Sequence, residues 1–386
     1  MTLRERAGSV SDGVPRRRIL FILASVGGGG AERVVLTILR HLDRKRFEPH
    51  LALVRASGRY LGDLPGDVTV HDLKAGRARY AIPAIVRLAW RLRPHAVLST
   101  LGYLNLVVIF AKPVLPRGTG LLVREGTVVS ALLVKDVQYP KIWKWLYRRY
   151  YKKVDKIICQ SDYMLNDLAE NFGVPREKMV RIYNPVDVER IRRLAEADEN
   201  PYPGAGPHLV SAGRLSNEKG FDLLLDAMPL VLERFPRAEL TILGEGPLKV
   251  ALEAQRERLG LTKAVVFVGF QPNPYPYFKH AHLFVLASRF EGLPNVLLEA
   301  LALGTLVVAT DCPGGVKELV NYADGMKLVP MDSPALLAEY LIRTLDEMKH
   351  YRYKQSNPHF SETFGVQNAV AEYEALLERV SDASSF

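Results

Sequence analysis

The chain has 386 residues, 48% hydrophobic, 24% charged and 9% aromatic, which is enough apolar mass for two compact cores of about 150–200 residues each. Its two cysteines, Cys159 and Cys312, exclude a disulfide framework or cysteine metal cluster and suit a reducing cytoplasm; no apolar run approaches the ~20 residues that span a bilayer. The net charge of +10 divides into +15 over residues 1–200 and −5 over the remainder, so the first half faces an anionic partner: a membrane surface, a nucleic acid or a phosphorylated acceptor.

Residues 1–15 read as a disordered leader. Arg16, Arg17 and Arg18 ahead of Ile19–Leu23 imitate a secretory signal, but the apolar run is short and passes straight into Gly27–Gly30, so it reads as a buried first strand. Further strands are expected at Glu48–Val54, Val68–Asp72, Ala96–Leu101, Gly120–Arg124 and Lys156–Gln160. Most are continuous Val/Ile/Leu runs, the pattern of parallel strands covered on both faces. The polar, Pro- and Gly-rich stretch 196–207 reads as a linker. The rhythm then restarts at Pro207–Gly213, Ala238–Gly244, Val265–Gly269, Leu283–Ala287 and Leu306–Thr310, each followed by a helical pattern. The fold expected is α/β, with two Rossmann-like doubly wound domains, 16–195 and 208–355, facing each other across a cleft. Residues 356–386 read as a helical segment returning to the first domain.

Several stretches carry chemistry. Gly28, Gly29 and Gly30 open a helix and let backbone come close to an anion, although a G-x-G-x-x-G fingerprint fails because Glu32 or Arg33 stands at its third glycine. Lys141–Lys156 places Trp143, Tyr147, Tyr150 and Val154 on one helical face and Lys141, Lys144, Arg148, Lys152 and Lys156 on the other. That pattern suits the headgroups of an anionic bilayer, with Trp143, Lys144, Tyr147, Arg148 and Lys152 in contact; it equally suits a surface helix whose apolar stripe packs on the sheet. Asp187-Val188-Glu189 mimics a metal triplet but lies at the domain junction, and no metal site is expected. Arg214 and Lys219 flank a strand-to-helix turn, where amide groups and the helix dipole favour phosphate; two solvated charges are the alternative. Pro294 to Gly304 reads as an apolar helix of about ten residues that carries Glu299 inside it. A buried carboxylate must be hydrogen-bonded, either by a vicinal diol such as ribose or by a structural salt bridge. Glu291 precedes that helix in a loop.

Glu291 and Glu299, with seven residues between them and Ser288-Arg289-Phe290 before them, resemble the E-x7-E signature of glycosyltransferase family four. Gly213-Arg214…Glu218-Lys219-Gly220 resembles that family's phosphate loop, and Gly244-Glu245-Gly246-Pro247 its second nucleotide-side turn. Cys159-Gln160-Ser161 through Tyr183-Asn184-Pro185-Val186-Asp187 resembles the end of its first domain. Gly28-Gly29-Gly30-Ala31-Glu32-Arg33 resembles the first loop of members that build bacterial cell-surface polysaccharides. The resemblance covers roughly residues 18–380.

The resemblance implies the GT-B fold and retaining transfer from a nucleoside-diphosphate sugar, used as co-substrate, with no metal or other cofactor. Arg214, Lys219 and Glu291 would be catalytic. Gly213, Gly244, Gly246, Gly269, Phe290, Gly292, Leu293, Pro294 and Glu299 would bind the donor, Glu299 through its ribose. Gly28, Gly29, Gly30, Arg124 and Glu125 would line the diphosphate or acceptor side. Many members have a histidine after the fifth strand, where this chain reads Val123-Arg124-Glu125-Gly126-Thr127, so no catalytic base is assigned. The expected partners are a UDP-linked donor, a lipid-linked or glycan acceptor and the anionic inner face of the cytoplasmic membrane, not nucleic acid. A sugar-nucleotide epimerase of the same architecture and a non-catalytic polyanion binder are the competing readings.

Overall fold

The computed structural model describes residues 16–135, 137–348 and 358–383; the expected leader and residues 349–357 lie outside them. The first sheet contains β1 (Arg17–Leu23), β2 (Phe47–Leu53), β3 (Thr69–Asp72), β4 (Ala96–Thr100), β5 (Gly120–Arg124), β6 (Lys156–Cys159) and β7 (Met179–Arg181). Their order is β3-β2-β1-β4-β5-β6-β7, with every neighbour parallel. Ile19, Leu20 and Phe21 are all fully buried, which is why the sequence there is continuously apolar rather than alternating. The helices of this half are α1 (Gly30–His41), α2 (Ile82–Leu92), α3 (Gly102–Ala111), α4 (Val129–Lys135), α5 (Pro140–Tyr150) and α6 (Asp162–Phe172). A connecting helix, α7 (Val188–Ala195), follows.

The second sheet repeats the design with β8 (His208–Ala212), β9 (Glu239–Leu243), β10 (Val265–Gly269), β11 (Leu283–Leu286), β12 (Val307–Thr310) and β13 (Lys327–Val329), in the parallel order β10-β9-β8-β11-β12-β13. Its helices are α8 (Phe221–Arg234), α9 (Lys249–Arg258), α10 (Tyr275–His280), α11 (Asn295–Ala302) and α12 (Pro334–Glu347), followed by α13 (Pro358–Phe364) and α14 (Val366–Ala383). In both sheets the strand order reverses beside the first strand, between β1 and β4 and between β8 and β11. Such switch points open crevices beyond the strands' carboxyl ends, where α/β sheets bind ligands. The edge strands β7 and β13 have three residues each and were not expected, because runs that short carry no readable period.

The chain crosses between the halves twice, and the crossings touch. The first crossing comes before the expected linker: Tyr183, Val186, Ile191 and Ala195 pack in the core of the second half, and α7 lies against α10 and α11. Stretch 196–207 is itself anchored, because the Tyr202 hydroxyl donates to the Tyr277 carbonyl at 2.8 Å. Asp187 caps α7, accepting from the Arg190 amide at 3.0 Å, so its carboxylate is accounted for without a metal. The second crossing falls between α13, whose Phe360 and Phe364 belong to the same core, and α14. There the Val186 amide donates to the Phe364 carbonyl at 2.8 Å and the Val366 amide to the Val186 carbonyl at 3.0 Å. The two crossing segments therefore form a parallel bridge at Val186 and Gly365.

Helix α14 closes the first half. Tyr373, Leu376, Leu377 and Val380 fill the core on one face of the first sheet, while Glu374 and Glu378 meet Arg46 at 2.8 and 2.5 Å. Burial decides which contact matters, since partly exposed ion pairs contribute about 0–1 kcal/mol and a buried leucine several times that. Leu377→Ala is expected to cost about 2–5 kcal/mol in urea denaturation and Arg46→Ala less than about 1 kcal/mol.

Candidate active site

The turn after β8 is built around glycines. Gly244 has φ +134°, and a Cβ there would stand 1.9 Å from the Gly213 carbonyl oxygen, so side-chain-bearing residues are excluded by both backbone and space. The Gly213 amide donates to Leu243 at 2.9 Å, the Gly244 amide to Gly269 at 2.8 Å and the Leu215 amide to Glu245 at 2.9 Å. Gly246 packs on the Leu215 backbone. The three β-strand ends carrying Gly213, Gly244 and Gly269 thus form one continuous floor. Arg214 stands exposed above it, with no ion-pair partner among the described residues.

Lys219 turns back over Gly213 and its Nζ meets Glu291 Oε1 at 2.6 Å. Ser288 Oγ donates to that same oxygen at 2.7 Å. Glu291 is only 7% exposed, so the lysine and serine together compensate its burial. Its loop is held from behind: the Glu291 amide donates to the Pro313 carbonyl at 3.0 Å and the Gly315 amide to Gly292 at 2.7 Å. A Cβ on Gly314 would lie 1.6 Å from the Glu291 carbonyl oxygen. Gly314 and Gly315 were not singled out from the sequence; their signal was only the small-residue run after β12. Phe290 and Leu293 are both 4% exposed and anchor the loop in the core.

Helix α11 begins one residue later than expected: Pro294 is its extended N-cap, and Gly304 lies just beyond its end. Its N-terminus docks on the first half, where Asn295 Nδ2 donates to the Gly30 carbonyl at 2.9 Å. One turn on, Glu299 is 7% exposed. Its Oε1 pairs with Arg33 Nη2 of α1 at 2.6 Å, and Arg33 Nη2 also donates to the Tyr275 hydroxyl at 2.7 Å. The salt bridge weighed as the alternative for Glu299 therefore exists, and it crosses the cleft. Its other oxygen, Oε2, is buried with no hydrogen-bond partner. Burial pushes the Glu299 carboxyl above its ordinary value, and Arg33 opposes that shift.

The remaining cross-cleft contacts gather at the glycine loop. Gly28 has φ +121° and faces the Phe270 ring. Arg59 stacks 4.2 Å over the same ring and pairs with Glu245 at 2.7 Å. Glu32 folds its carboxylate back onto Gly29. The glycines expected at the diphosphate are thus at the cleft, opposite Phe270 and Asn295.

Arg124 and Glu125 are placed differently from the expectation. Each is 1% exposed, and they lie beneath the cleft rather than facing an acceptor. Arg124 donates to Thr100 at 3.3 Å and to Asn184 Oδ1 at 2.5 Å. The Asn184 amide nitrogen faces Leu293 O at 2.9 Å, Asn295 Oδ1 at 2.7 Å and Gln160 Oε1 at 3.3 Å. Glu125 accepts from Tyr151 and Asn105; burial pushes its carboxyl up to about 7, against those hydrogen bonds.

The basic aromatic helix also differs. Tyr147 is 1% exposed and Trp143 is half-buried against the first core, so the stripe expected at a membrane packs inward, against α3, α4 and α6. An amphipathic helix turns its more continuous apolar row toward the core. Lys144, Arg148 and Lys152 are exposed, and the exposed apolar groups are Val134, Tyr139, Ile142 and Trp145.

Residues 206–347 match the family described as "Glycosyl transferases group 1" and residues 28–190 match "Glycosyltransferase Family 4". The chain is 31% identical over 343 residues to N-acetylgalactosamine-N,N'-diacetylbacillosaminyl-diphospho-undecaprenol 4-alpha-N-acetylgalactosaminyltransferase of Campylobacter jejuni, covering 86% of this chain and 91% of that protein. It is 32% identical over 290 residues to the lipopolysaccharide core biosynthesis glycosyltransferase LpsE of Rhizobium meliloti, covering 74% and 77%. Among solved structures, Anabaena HepE in complex with UDP-glucose superposes with a TM-score of 0.79 at 20% identity, covering 94% of this chain and 99% of that one. That likeness is the GT-B fold.

Two outcomes follow from the buried polar groups. Asn184→Ala leaves the Arg124 guanidinium buried without its carbonyl partner and should cost about 3–5 kcal/mol in chemical denaturation. Glu125, protonated in the fold up to about pH 7 and from an ordinary 4.5 when unfolded, binds more protons folded than unfolded across that window. Stability should therefore fall as pH rises through it, and Glu125→Gln should flatten that slope in melts taken across the window.

Proposed function

The chain belongs to the family-four, group 1 glycosyltransferases, and from that premise we propose that it moves a sugar, with retained anomeric configuration, from a UDP-linked donor to a lipid-linked or polysaccharide acceptor in cell-surface glycan assembly. The observation that carries the reading is the Lys219–Glu291 pair at 2.6 Å, set over the glycine floor and before the N-terminus of α11. A donor diphosphate placed on that floor takes Lys219 and Arg214 as its cations, with the helix dipole behind it. Lys219 then exchanges Glu291 for phosphate, and Glu291 turns to the hydroxyls of the sugar. As the bond from the anomeric carbon to the diphosphate breaks, charge grows on the leaving oxygens, and the two cations stabilise that state more than the ground state. The acceptor oxygen bonds to the anomeric carbon on the same face, and its proton passes to the leaving diphosphate, so no separate base is required. Glu299 holds the ribose.

Two cations on the diphosphate take the role a divalent ion has in other transferases, which is the basis for proposing metal-independent transfer. The UDP-glucose in Anabaena HepE supports a UDP-linked donor, and the diphospho-undecaprenol substrate in the name of the Campylobacter relative supports a polyprenyl-diphosphate-linked acceptor. No helix among the described residues is long and apolar enough to cross a membrane. The enzyme would meet such an acceptor from the cytoplasmic face through the exposed groups beside Lys144, Arg148 and Lys152. Family membership leaves the epimerase and polyanion-binding readings without support.

The decisive experiment incubates the protein with a panel of nucleotide-sugars and a polyprenyl-diphosphate-linked glycan and scores glycan elongation; elongation with none of them sinks the assignment of donor and acceptor. Lys219→Ala and Arg214→Ala should each lower kcat by about 10²–10³-fold, and excess EDTA should leave the rate intact; dependence on added Mg²⁺ or Mn²⁺ would remove the two-cation reading. Binding to vesicles with anionic lipid should exceed binding to neutral ones and weaken with salt. Trp145→Ala should reduce it while Lys279→Ala, in the second half, does not; equal sedimentation with both vesicle types removes the membrane contact alone.

A further inference from the structure

Glu299 carries an unfinished bond. A carboxylate accepts at two oxygens, and here Arg33 occupies only Oε1 while Oε2 is buried with no partner. Leaving a buried acceptor empty costs about 1–3 kcal/mol, so the chain keeps a defect that it could remove by placing a serine or asparagine nearby. Glu299 lines a pocket between the two halves together with Arg33, Tyr60, Tyr275 and Asn295.

The arginine on the other oxygen is not a mobile surface charge. Its Nη2 is shared between Glu299 and the Tyr275 hydroxyl, its guanidinium lies 6.0 Å from the Tyr275 ring centre, and its side chain is 24% exposed. Arg33 belongs to the first turn of α1, whose opening residue Gly30 accepts from Asn295, at the start of the helix that carries Glu299. The two helices thus meet through two bonds one turn apart, and both bonds cross the cleft.

We propose that Arg33 is a positioning residue for the donor: reaching over from the opposite half, it holds Oε1 of Glu299 so that Oε2 receives a vicinal hydroxyl of the donor's ribose. This rests on the reading of Glu299 as the ribose carboxylate. Arg33 also favours the ionised form of Glu299, because burial pushes that carboxyl up and Arg33 is the group that opposes it. An ionised carboxylate accepts from both oxygens, whereas a protonated one offers a poorer site. The consequence is that recognition of the sugar ring of the nucleotide belongs to both halves at once and is completed when they close.

The test measures, for wild type, Arg33→Gln, Arg33→Lys and Glu299→Gln, the affinity of whichever of UDP, GDP, CDP and ADP binds best, and of its 2′,3′-dideoxy form. Wild type should favour the ribose form by about ten-fold or more, the worth of a hydrogen bond to a charged group. That ratio should collapse in Glu299→Gln and in Arg33→Gln and be partly kept in Arg33→Lys, which retains a cation; Arg33→Lys also serves if Arg33→Gln fails to fold. In Arg33→Gln, or in Arg33→Lys to a smaller degree, the ratio should recover as pH is raised, because the carboxyl is then ionised without help; a role in packing alone would not produce this. A full ratio in the Arg33 variants with a collapsed one in Glu299→Gln overturns the role of Arg33 and keeps the ribose reading. No diphosphate binding, no ratio in wild type, or a ratio unchanged in Glu299→Gln overturns the ribose reading and this proposal together.

Discussion

A guanidinium sealed inside a protein must find acceptors, and in this chain the rest of the site follows from where Arg124 finds one. At the end of β5, 1% exposed, it takes the carbonyl oxygen of Asn184 at 2.5 Å. Once that oxygen is used, the Asn184 amide nitrogen has to face the opposite way, toward the Leu293 carbonyl and the Asn295 side chain. Those two acceptors are the last residues of the Glu291 loop and the first of α11. The side chain of one asparagine therefore sets the height at which both glutamates of the second half stand relative to the first sheet. Networks of this kind are costly when half satisfied, and this is why position matters here more than charge.

The two halves are held in register by pairs of unlike strength. At the crossings, Val186 donates its amide to Phe364 and accepts from Val366 across the parallel bridge with Gly365, and Val186, Phe360 and Phe364 belong to the second core. Across the cleft several contacts are polar, among them Asn295 with Gly30, Arg33 with Glu299 and Arg59 with Glu245, and Phe270 packs beside Tyr60 on the first half's core. Opening the cleft exchanges these polar contacts for water and for ligand at little net loss, while opening the crossings would expose core.

The glycosyl-transfer machinery has the same economy. Lys219 compensates the burial of Glu291, and under the proposed reading it would exchange that carboxylate for the donor's phosphate, so that neither charge would be left bare. Arg33 and Glu299 stand in the same relation one helical turn further along. Buried ionisable groups of this kind cluster at functional sites, where burial and a specific charge partner are set against each other.

Much of this was legible in the chain. Continuous apolar runs bounded by glycine identified the longer strands and the parallel α/β class, because strands covered on both faces have no polar side to show. The glycine turns, Lys219 beside Arg214 at one of them, and the buried Glu299 were legible because each breaks a local expectation: a charge in an apolar helix, or glycine where a strand meets a helix. What the order of residues could not supply was who meets whom. Arg33 and Glu299 lie far apart in sequence, as do Asn184 and Asn295, and nothing local distinguishes them from solvated residues. The stripe on α5 was visible as a stripe, but its amphipathic pattern has the same period whether it faces lipid or core; only packing showed Tyr147 turned inward and Trp145 outward. Local chemistry is written in spacing along the chain. Partnership across a cleft depends on where two separately folded sheets come to rest, and that is decided by their buried contacts.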